Sequence, residues 1–377
     1  MSQHALLSLG TYGWRCLSCS KTELRLDLTL DCGQTFRWCK TGRGHWTGVM
    51  GGRVWTLTQT ETHLWYYVYR RQGDLDLSDG RKRKNPDNSQ RSGKKLKEIV
   101  KVKEEKEDVP SISMLTPEQD DRDEEVLRDY FQLSVKLEDL YKKWCDADPH
   151  FSRISNNFPG VRKVRLDPVE CLFSFICSSN NNISRIHTMV ESLCRTFGTY
   201  LCKLDDKDYY SFPSIEKLAE SNVKTQLDEL SFGYRANYVQ KSAQEIMRSP
   251  NPDWLHSLRN RSYEEAKTDL IKLPGVGRKV ADCVCLMSLD KPGAVPIDTH
   301  VRQIAKRDYG FVPEKGQKTL TDKVYNEIGN FFRELWGSHA GWAQSVLFCA
   351  DLKKFQKLKE IQTIKEEKSV IVKKEED

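Results

Sequence analysis

Hydrophobic and polar residues alternate over much of the first 73 residues. Leucines take every second position from Leu24 to Leu30, which predicts a strand with one buried and one solvent-facing side. The runs Trp46 to Met50 and Arg53 to Gln59 flank Gly51-Gly52, a pair suited to a two-residue hairpin turn. The aromatic-rich run His63 to Tyr69 predicts another strand. We therefore expect residues 1–73 to form a small antiparallel sheet domain.

Helical periodicity replaces this alternation from Val126 onward. Hydrophobic residues recur three and four positions apart, which is the spacing of one face of an α-helix. The pattern predicts helical structure around 126–144 and further helices at Pro168 to Ser178, Ile183 to Phe197, Tyr234 to Arg248, Tyr263 to Ile271, Arg278 to Leu289, Thr299 to Arg307, Tyr325 to Leu335 and Gly341 to Ala350. The expected fold class is α+β, in which residues 126–351 form a mainly helical body beside the N-terminal antiparallel β-sheet domain.

The composition changes sharply between these two regions. Arg81 to Lys106 contains eleven basic and four acidic residues, whereas Glu107 to Glu125 contains one basic and eight acidic residues. Few large hydrophobic residues are present to compensate for the entropy of ordering this segment. We expect residues 74–125 to be a disordered charged insertion and residues 352–377 to be a charged disordered tail. Two clusters in the insertion, at 81–84 and 94–97, resemble a bipartite nuclear-localisation signal.

Charge and cysteine content limit the class of protein. The chain has 377 residues and a formal net charge of +6. No run approaches the roughly 18 apolar residues of a membrane span, which argues against an integral membrane protein. Twelve scattered cysteines suit reduced thiols in the cytosol or nucleus. Cys16, Cys19, Cys32 and Cys39 could hold zinc, but no second C-x-x-C pair completes the motif, so ordinary thiols are favoured.

The segment Leu273 to Lys279, Leu-Pro-Gly-Val-Gly-Arg-Lys, carries the strongest chemical signal. It lies between two predicted helices, and Gly275 and Gly277 would let a phosphate reach backbone N–H groups without interference from a Cβ. The following helix adds its positive N-terminal end. The alternative is a tight turn that uses glycine for its geometry alone. In this context the segment indicates a helix-hairpin-helix that binds a nucleic-acid backbone without reading its sequence.

Lys279 and Asp298 are the candidate catalytic pair. Lys279 lies in the first turn of the second hairpin helix, where the helix dipole and burial would favour a neutral, nucleophilic amine. The alternative is a lysine that contacts phosphate. Asp298 precedes another predicted helix, where it would usually be only the N-cap. On adjacent helix starts, the amine could be a nucleophile and the carboxylate could stabilise a cation.

These residues resemble the helix-hairpin-helix-GPD DNA glycosylase superfamily. Leu273 to Cys283 and Val295 to His300 are similar to its hairpin and its Gly/Pro-rich loop with Asp. The wider chain resembles the eukaryotic 8-oxoguanine DNA glycosylase/AP lyase branch, through Cys32 to Trp38, Phe173 to Asn182 and Gly341 to Gln344. These segments span nearly the whole chain outside the insertion and the tail.

The resemblance implies a bifunctional DNA repair enzyme that flips a damaged nucleotide out of the duplex. Lys279 would attack C1′, the base would leave, and the resulting Schiff base would permit β-elimination of the strand. Asp298 would stabilise positive charge on the sugar. The implied partner is double-stranded DNA with 8-oxoguanine opposite cytosine. We expect no cofactor, no metal and a monomer.

Four residues match the family's contacts to the flipped base. The carbonyl of Gly33 would accept from N7–H of 8-oxoguanine and repel the bare N7 of guanine. Cys283 and Phe348 would lie on either face of the ring, and Gln344 would bind its pairing edge. Cys283 also lies four residues after Lys279, so a thiolate and an ammonium could interact there. Without the resemblance these would be interpreted as a turn glycine, core residues and a surface glutamine.

Five further residues match DNA contacts of the family. Asn180 would fill the vacated position in the base stack, and Tyr234 would be an aromatic wedge beside the kink. Arg185 and Arg235 would hydrogen-bond the orphaned cytosine. His300 would contact a phosphate. Taken without the family, they would be ordinary surface residues and a half-buried tyrosine.

The positions of the cysteines distinguish between branches of the superfamily. The endonuclease III and adenine-mismatch branches carry a four-cysteine iron–sulfur loop, but only Cys349 follows Cys285 here. Two alternatives stay open, namely a glycosylase of different base specificity and a module that binds DNA without catalysis. We expect a nuclear location and leave a mitochondrial one open.

Overall fold

The computed structural model describes residues 3–69, 121–313 and 319–358. The strands are β1 (Arg15–Ser18), β2 (Trp38–Gly42), β3 (His45–Met50), β4 (Arg53–Gln59), β5 (His63–Tyr69), β6 (Tyr200–Leu204) and β7 (Lys207–Tyr210). The helices are α1 (Leu26–Thr29), α2 (Asp121–Tyr130), α3 (Leu137–Ala147), α4 (Pro149–Ser155), α5 (Pro168–Ile176), α6 (Ile183–Phe197), α7 (Ile215–Ala219), α8 (Val223–Glu229), α9 (Tyr234–Met247), α10 (Trp254–Ser257), α11 (Tyr263–Ile271), α12 (Arg278–Ser288), α13 (Thr299–Tyr309), α14 (Asp322–Trp336) and α15 (Ala340–Asp351).

The N-terminal strands form one antiparallel sheet in the order β1-β5-β4-β3-β2. The turn between β3 and β4 is Gly51-Gly52, with φ angles of +57° and +70°, and Val49 pairs with Val54 across it. Glycine adopts such angles without a steric penalty, which allows the two-residue turn. The predicted hairpin and the predicted strand at β5 are both confirmed.

The strand predicted from Leu24 to Leu30 is wrong, because this segment contains the short helix α1 instead. Its four leucines are all buried, as the pattern required. However, the backbone around Leu24 and Leu26 bonds the side chain of Gln59, at 2.8 and 2.6 Å, instead of a neighbouring strand. Arg25 and Asp27 between the leucines stay partly exposed, so alternating burial is present without a strand, because the backbone has no strand partner.

The predicted helices of the body are present, with ends that differ by at most a few residues. Helices α6 and α11 have the predicted bounds. Asn182 caps α6 by accepting from the N–H of Arg185, and Ser262 with Glu265 forms a capping box on α11. Such caps are local signals, so the sequence locates these helix ends well.

Several short elements were not predicted. They are the small hairpin of β6 and β7, the edge strands β1 and β2, and the helices α4, α7, α8 and α10. Each has between four and seven residues. That length is too short for helical or strand periodicity to stand out from chance.

Helix α2 begins at Asp121, inside the segment 74–125 that the composition assigned to a disordered insertion. The cause is a contact with the sheet: Asp123 is 1% exposed and forms ion pairs with Arg53 and Arg15. The rest of the predicted insertion, its two basic clusters and most of the predicted tail lie outside the described residues.

One hydrophobic core joins the sheet to the helical body. Trp38 of β2 donates from its indole nitrogen to the hydroxyl of Tyr130 on α2, at 2.8 Å. At the centre of the body, the almost wholly buried helices α5 and α12 pack against each other. The α+β fold class is therefore confirmed, and α12, which carries Lys279, is a largely buried helix of the body.

Candidate active site

One cavity gathers the two predicted catalytic residues and the four predicted base contacts. It encloses about 480 Å³, part of it open to solvent, and Gly33, Lys279, Cys283, Asp298, Gln344 and Phe348 line it. These residues come from the loop before β2, from α12, from the start of α13 and from α15.

Lys279 lies in the first turn of α12, half-buried at the cavity wall. Its Nζ donates to Oγ of Ser178 at 3.0 Å, and that hydroxyl donates in turn to the carbonyl of Phe175 at 2.7 Å. The ammonium also lies 5.2 Å from the centroid of the Phe175 ring, within the range of a cation–π contact. No sequence pattern predicts a role for Ser178, since no spacing rule links residues 101 positions apart.

Asp298 is the N-cap of α13, as predicted. One carboxylate oxygen accepts from the N–H of Val301 at 2.9 Å, which fixes the carboxylate against the helix start. The carboxylate lines the same cavity as Lys279. The structure therefore brings an amine and a fixed carboxylate to adjacent helix starts around one cavity.

Cys283 and Phe348 both contribute to the cavity wall. Burial raises the pKa of Cys283 to about 11, although Lys279 acts to lower it, so the thiol stays protonated near neutral pH. This corrects the expectation of a thiolate beside an ammonium. Phe348 is half-buried, and the ring of His300 lies 6.0 Å from it in an edge-on arrangement.

Gly33 and Gln344 provide polar groups at the same cavity. Gly33 has a φ of +81°, and an added Cβ would lie 2.8 Å from Cδ1 of Ile183, so the position requires glycine. Gln344 is 5% exposed, and its side chain makes no hydrogen bond to any residue in the described parts of the chain. Its amide is therefore available to a ligand.

Lys163 is a second lysine at the cavity that sequence reasoning missed. It is 3% exposed, and burial lowers its pKa. Within the described residues its Nζ has neither a hydrogen bond nor a carboxylate partner. It stands in the run Arg162-Lys163-Val164-Arg165, a basic sequence that is typical of a solvated surface and so offered no signal of burial.

Four of the predicted DNA contacts cluster where α5, α6 and α9 meet. Asn180 is exposed and has a φ of +46°, an angle uncommon for a residue other than glycine. Tyr234 is 49% exposed and donates to the carbonyl of Ser179 at 3.0 Å. Arg185 is also exposed.

Arg235 differs from the expectation of a surface arginine. Its side chain is buried, and one guanidinium nitrogen donates to the carbonyl of Asn180 at 3.0 Å. The guanidinium also lies 4.5 Å from the centroid of the Tyr234 ring. In this structure Arg235 supports the loop that carries Asn180.

Gly275 and Gly277 of the hairpin, together with His300, are the remaining predicted DNA contacts. Gly275 has a φ of +80°, whereas Gly277 has ordinary extended geometry and is exposed. His300 is half-exposed, and its ring nitrogen lies 3.5 Å from the carboxylate of Asp351. These groups are open to a large ligand that approaches the starts of α12 and α13.

In the ranges 3–69, 121–313 and 319–358, no three His, Cys, Asp or Glu side chains converge as a metal site. No helix within those ranges combines the length and the apolar character that a bilayer crossing requires.

Two family models and several curated proteins match the chain. Residues 16–172 match "8-oxoguanine DNA glycosylase, N-terminal domain", and residues 173–331 match "HhH-GPD superfamily base excision DNA repair protein". The chain is 34% identical to N-glycosylase/DNA lyase OGG1 of Arabidopsis thaliana over 345 residues, which cover 91% of this chain and 81% of the relative. It is 39% identical to the N-glycosylase/DNA lyase of Saccharomyces cerevisiae over 249 residues, which cover 60% and 66%.

Solved structures share the fold. The 8-oxoguanine glycosylase/lyase of Clostridium acetobutylicum, in complex with double-stranded DNA containing cytosine opposite 8-oxoG, superposes with a TM-score of 0.65 at 25% identity. The match covers 87% of this chain and 91% of that protein. A DNA complex of MBOgg1 matches with a TM-score of 0.67 at 25% identity, over 89% and 94% of the two chains. The likeness therefore extends over both the sheet and the helical body.

Proposed function

Because the chain belongs to the family of N-glycosylase/DNA lyases that join an 8-oxoguanine DNA glycosylase N-terminal domain to an HhH-GPD domain, we propose that it excises 8-oxoguanine paired with cytosine. The observation that carries the proposal is the cavity that holds the Lys279 amine, the Asp298 carboxylate and Gly33 together. The Clostridium relative was solved with cytosine opposite 8-oxoG, which supports the same pairing.

Lys279 is the proposed nucleophile. Its amine attacks C1′ of the flipped nucleotide, the bond between C1′ and the base breaks, and the base leaves with a proton. The sugar ring then opens to give a Schiff base between Nζ and C1′. Loss of a proton from C2′ breaks the bond from C3′ to its phosphate oxygen, which nicks the strand. Ser178, by accepting one N–H of the amine, restricts the directions open to the attacking lone pair.

Asp298 supplies electrostatic stabilisation in this scheme. Positive charge develops on the sugar as the bond to the base breaks, and a carboxylate nearby lowers the energy of that state. The N–H of Val301 holds the carboxylate before the reaction begins, so little reorganisation is needed. This preorganisation explains why the residue that caps a helix is also suited to catalysis.

Base discrimination rests on the remaining cavity residues. The Gly33 carbonyl accepts from N7–H, which 8-oxoguanine has and guanine lacks. Gln344 has an amide free to bind the pairing edge, and Cys283 and Phe348 contact the two faces of the ring. A neutral Cys283 thiol, as its raised pKa requires, packs against an aromatic face as a small hydrophobe.

The opposite strand and the backbone are bound by the other predicted residues. Asn180 enters the gap in the stack, Tyr234 wedges the kink, and Arg185 and Arg235 bind the orphaned cytosine. Among the described residues the Nε of Arg235 has no hydrogen-bond partner, so the guanidinium keeps a donor for the base while another of its nitrogens holds the Asn180 carbonyl. Gly275, Gly277 and His300 contact phosphates. We also propose that the protein acts on DNA as a monomer, which light scattering of the complex would test.

A nuclear location is part of the proposal. It rests on the basic clusters at 81–84 and 94–97. Replacing both clusters with alanine in a fluorescent fusion should move the protein out of the nucleus. Retention of the variant in the nucleus would contradict the assignment, and fluorescence in mitochondria would indicate a second targeting signal.

The experiment that tests the proposed chemistry combines defined lesions with borohydride trapping. Duplexes that each carry one 8-oxoguanine, alkylated purine or oxidised pyrimidine are scored for base release and strand cleavage. Borohydride reduces a Schiff base to a stable amine, so a covalent protein–DNA adduct reports the intermediate. We expect release of 8-oxoguanine opposite cytosine, together with an adduct.

Lys279→Gln identifies the nucleophile. We expect this variant to bind the lesion duplex but to lose both base release and trapping, because an amide cannot form the Schiff base. Lys272→Gln, which removes an exposed lysine just before the hairpin, is the matched control and should keep both activities. Trapping by Lys279→Gln would show that another amine reacts, and release of a different lesion instead would change the substrate.

A further inference from the structure

A buried hydrogen-bond cluster lies behind the helix that carries Lys279. Asp282, three residues later on α12, is fully buried, and its carboxylate accepts three hydrogen bonds. The donors are the hydroxyl of Tyr325 at 2.5 Å, the hydroxyl of Tyr263 at 2.7 Å and the ammonium of Lys267 at 3.0 Å. None of these residues lines the cavity, so none contacts substrate in the proposed mechanism.

Tyr325 also contacts the segment that carries Asp298. Its hydroxyl oxygen accepts from the backbone N–H of Ile297 at 3.1 Å, and Ile297 immediately precedes Asp298. Two hydrogen bonds in series therefore connect the helix of the amine to the segment of the carboxylate. Tyr325 and Ile297 are both buried, so water does not compete for these bonds.

The proton positions along this connection are fixed by burial and charge. Desolvation and the neighbouring Asp282 carboxylate raise the pKa of Tyr325, which keeps the phenol protonated. A phenol has one hydrogen, which it donates to Asp282, and its lone pair remains for the Ile297 N–H. Lys267 offsets the charge of Asp282 and contacts the Tyr263 hydroxyl at 3.0 Å. A fully satisfied buried network of this kind is rigid.

The segment held by Tyr325 makes few other backbone hydrogen bonds to the described residues, although the side chains of Val295 and Ile297 are buried in the core. Val295, Pro296 and Ile297 lie in the connection 289–298 between α12 and α13, which has no regular secondary structure, and Pro296 has no N–H to donate. We propose that Tyr325 is a positioning residue that sets the place of the Asp298 carboxylate relative to the Lys279 amine through the Ile297 peptide. The inference rests on the proposed function, because it concerns the step that Lys279 and Asp298 perform.

Tyr325→Phe tests the inference, because it removes only the hydroxyl. We expect the single-turnover rate of 8-oxoguanine release to fall by about 10- to 100-fold, the size of effect that a small misplacement of a reacting group produces. The dissociation constant for the lesion duplex should stay within about twofold, since Tyr325 touches no DNA in the proposed complex. A general loss of structure would weaken binding as well.

Tyr263→Phe is the matched control. It removes a hydrogen bond from the same Asp282 carboxylate but leaves the Ile297 N–H paired. The excision rate of Tyr263→Phe should stay close to that of wild type, although this variant should lose about as much stability as Tyr325→Phe. Hydrogen exchange at residues 295–298 should accelerate in Tyr325→Phe and not in Tyr263→Phe. Equal rates for the two variants would overturn the inference.

A double-mutant cycle identifies the route of the effect. If Tyr325 acts through Asp298, then Tyr325→Phe should add little further loss to Asp298→Asn, whereas independent losses would multiply. Multiplication would overturn the inference. The proposed function fails separately, because it fails only if the wild-type protein releases no 8-oxoguanine from the duplex.

Discussion

At the scale of single residues, Lys163 is a basic side chain in an environment that disfavours its charge. It lines the cavity, is almost wholly buried and has no carboxylate or hydrogen-bond partner among the described residues. Burying an ammonium without an acceptor is unfavourable, which is why its pKa is lowered from the ordinary lysine value of 10.5. The chain accepts this loss of stability inside its candidate active site.

Lys163→Met should therefore stabilise the protein, in a way that depends on pH. Between the lowered pKa and 10.5 the unfolded chain binds more protons than the folded one, so wild-type stability rises with pH across that interval. We expect the variant to gain roughly 1–3 kcal/mol near pH 7 and to lose most of that advantage by about pH 10. Urea unfolding at both pH values measures it.

The control for this prediction is Lys241→Met, which changes an exposed lysine on α9. It should alter the free energy of unfolding little at either pH. An advantage of Lys163→Met that is the same at both pH values would contradict the titration argument.

Gly33 joins backbone conformation to specificity. Its φ of +81° means that Gly33→Ala strains the backbone, and the Ile183 side chain, whose Cδ1 would lie 2.8 Å from the added Cβ, must also move. We expect the preference for 8-oxoguanine over guanine to fall about tenfold, the equivalent of one hydrogen bond. The ratio of the two excision rates is measured on duplexes that differ only in carrying 8-oxoguanine or guanine at the same position.

Gly52→Ala is a matched control for Gly33→Ala. Gly52 also has a positive φ, of +70°, but it lies in the β3–β4 turn with nothing near its Cβ. It should show similar backbone strain and an unchanged excision ratio. An unchanged ratio in Gly33→Ala would remove that carbonyl from the specificity argument.

At the scale of elements, the two hairpin glycines have different physical tasks. A Cβ on Gly275 would lie 2.5 Å from the ring of Tyr238, at a φ of +80°, whereas a Cβ on Gly277 would meet nothing within 4 Å. The first glycine allows the turn to pack on α9. The second leaves an open backbone at the start of α12, where a phosphate can approach.

This difference predicts that alanine at Gly275 affects stability, whereas alanine at Gly277 affects DNA binding. Gly275→Ala should lower the free energy of unfolding by about 1–3 kcal/mol. Gly277→Ala should leave the free energy of unfolding within about 0.5 kcal/mol of wild type. It should weaken DNA binding, and the dependence of the affinity on salt should fall by the equivalent of about one phosphate contact. Chemical unfolding and fluorescence anisotropy at several salt concentrations separate the two, and wild-type affinity in Gly277→Ala would exclude a phosphate contact there.

Three elements show which features of secondary structure can be predicted from nearby residues and which cannot. Hydrophobic periodicity predicts α6 and α11 with the right bounds, and the Asn182 cap and the Ser262–Glu265 capping box lie within a few residues of the helices that they start. Leu24 to Leu30 has an equally regular pattern, yet it contains a helical turn, because Gln59 and the surrounding core decide its hydrogen bonds.

At the scale of the whole molecule, Arg162 joins the N-terminal segment to the helical body. Its side chain is fully buried and donates to the carbonyls of Glu23, Gln132 and Val135 at 2.7, 2.7 and 2.9 Å. It also pairs with the Glu23 carboxylate, and it lies 5.9 Å from the centroid of the Trp342 ring on α15. One side chain thus binds parts of the chain that are far apart in sequence.

Arg162→Met should be severely destabilising. It leaves a half-buried carboxylate and several carbonyls without their donor, and breaking a buried ion pair in this way costs about 3–5 kcal/mol. The shift of the urea midpoint, followed by circular dichroism, measures the loss.

Arg165→Met provides the comparison for Arg162→Met. Arg165 also pairs with two carboxylates, those of Asp129 and Asp290, but at the surface with a side chain 24% exposed. Such pairs contribute about 0–1 kcal/mol. Equal losses in the two variants would show that burial is not the deciding factor.

The sequence by itself determined the helical body and the β3–β4 hairpin, and it indicated the candidate residues that the structure gathers at one cavity. Caps, periodicity and turn glycines act over a few residues, and the segments around Gly33, Lys279 and Asp298 are specific enough to indicate a family. Only the tertiary structure decided which side chains surround those residues. Ser178 beside Lys279, the buried Lys163 and the connection from Asp282 through Tyr325 to Ile297 all depend on contacts between segments distant along the chain. No local pattern encodes such contacts, because their free energy comes from burial that exists only after the chain has folded.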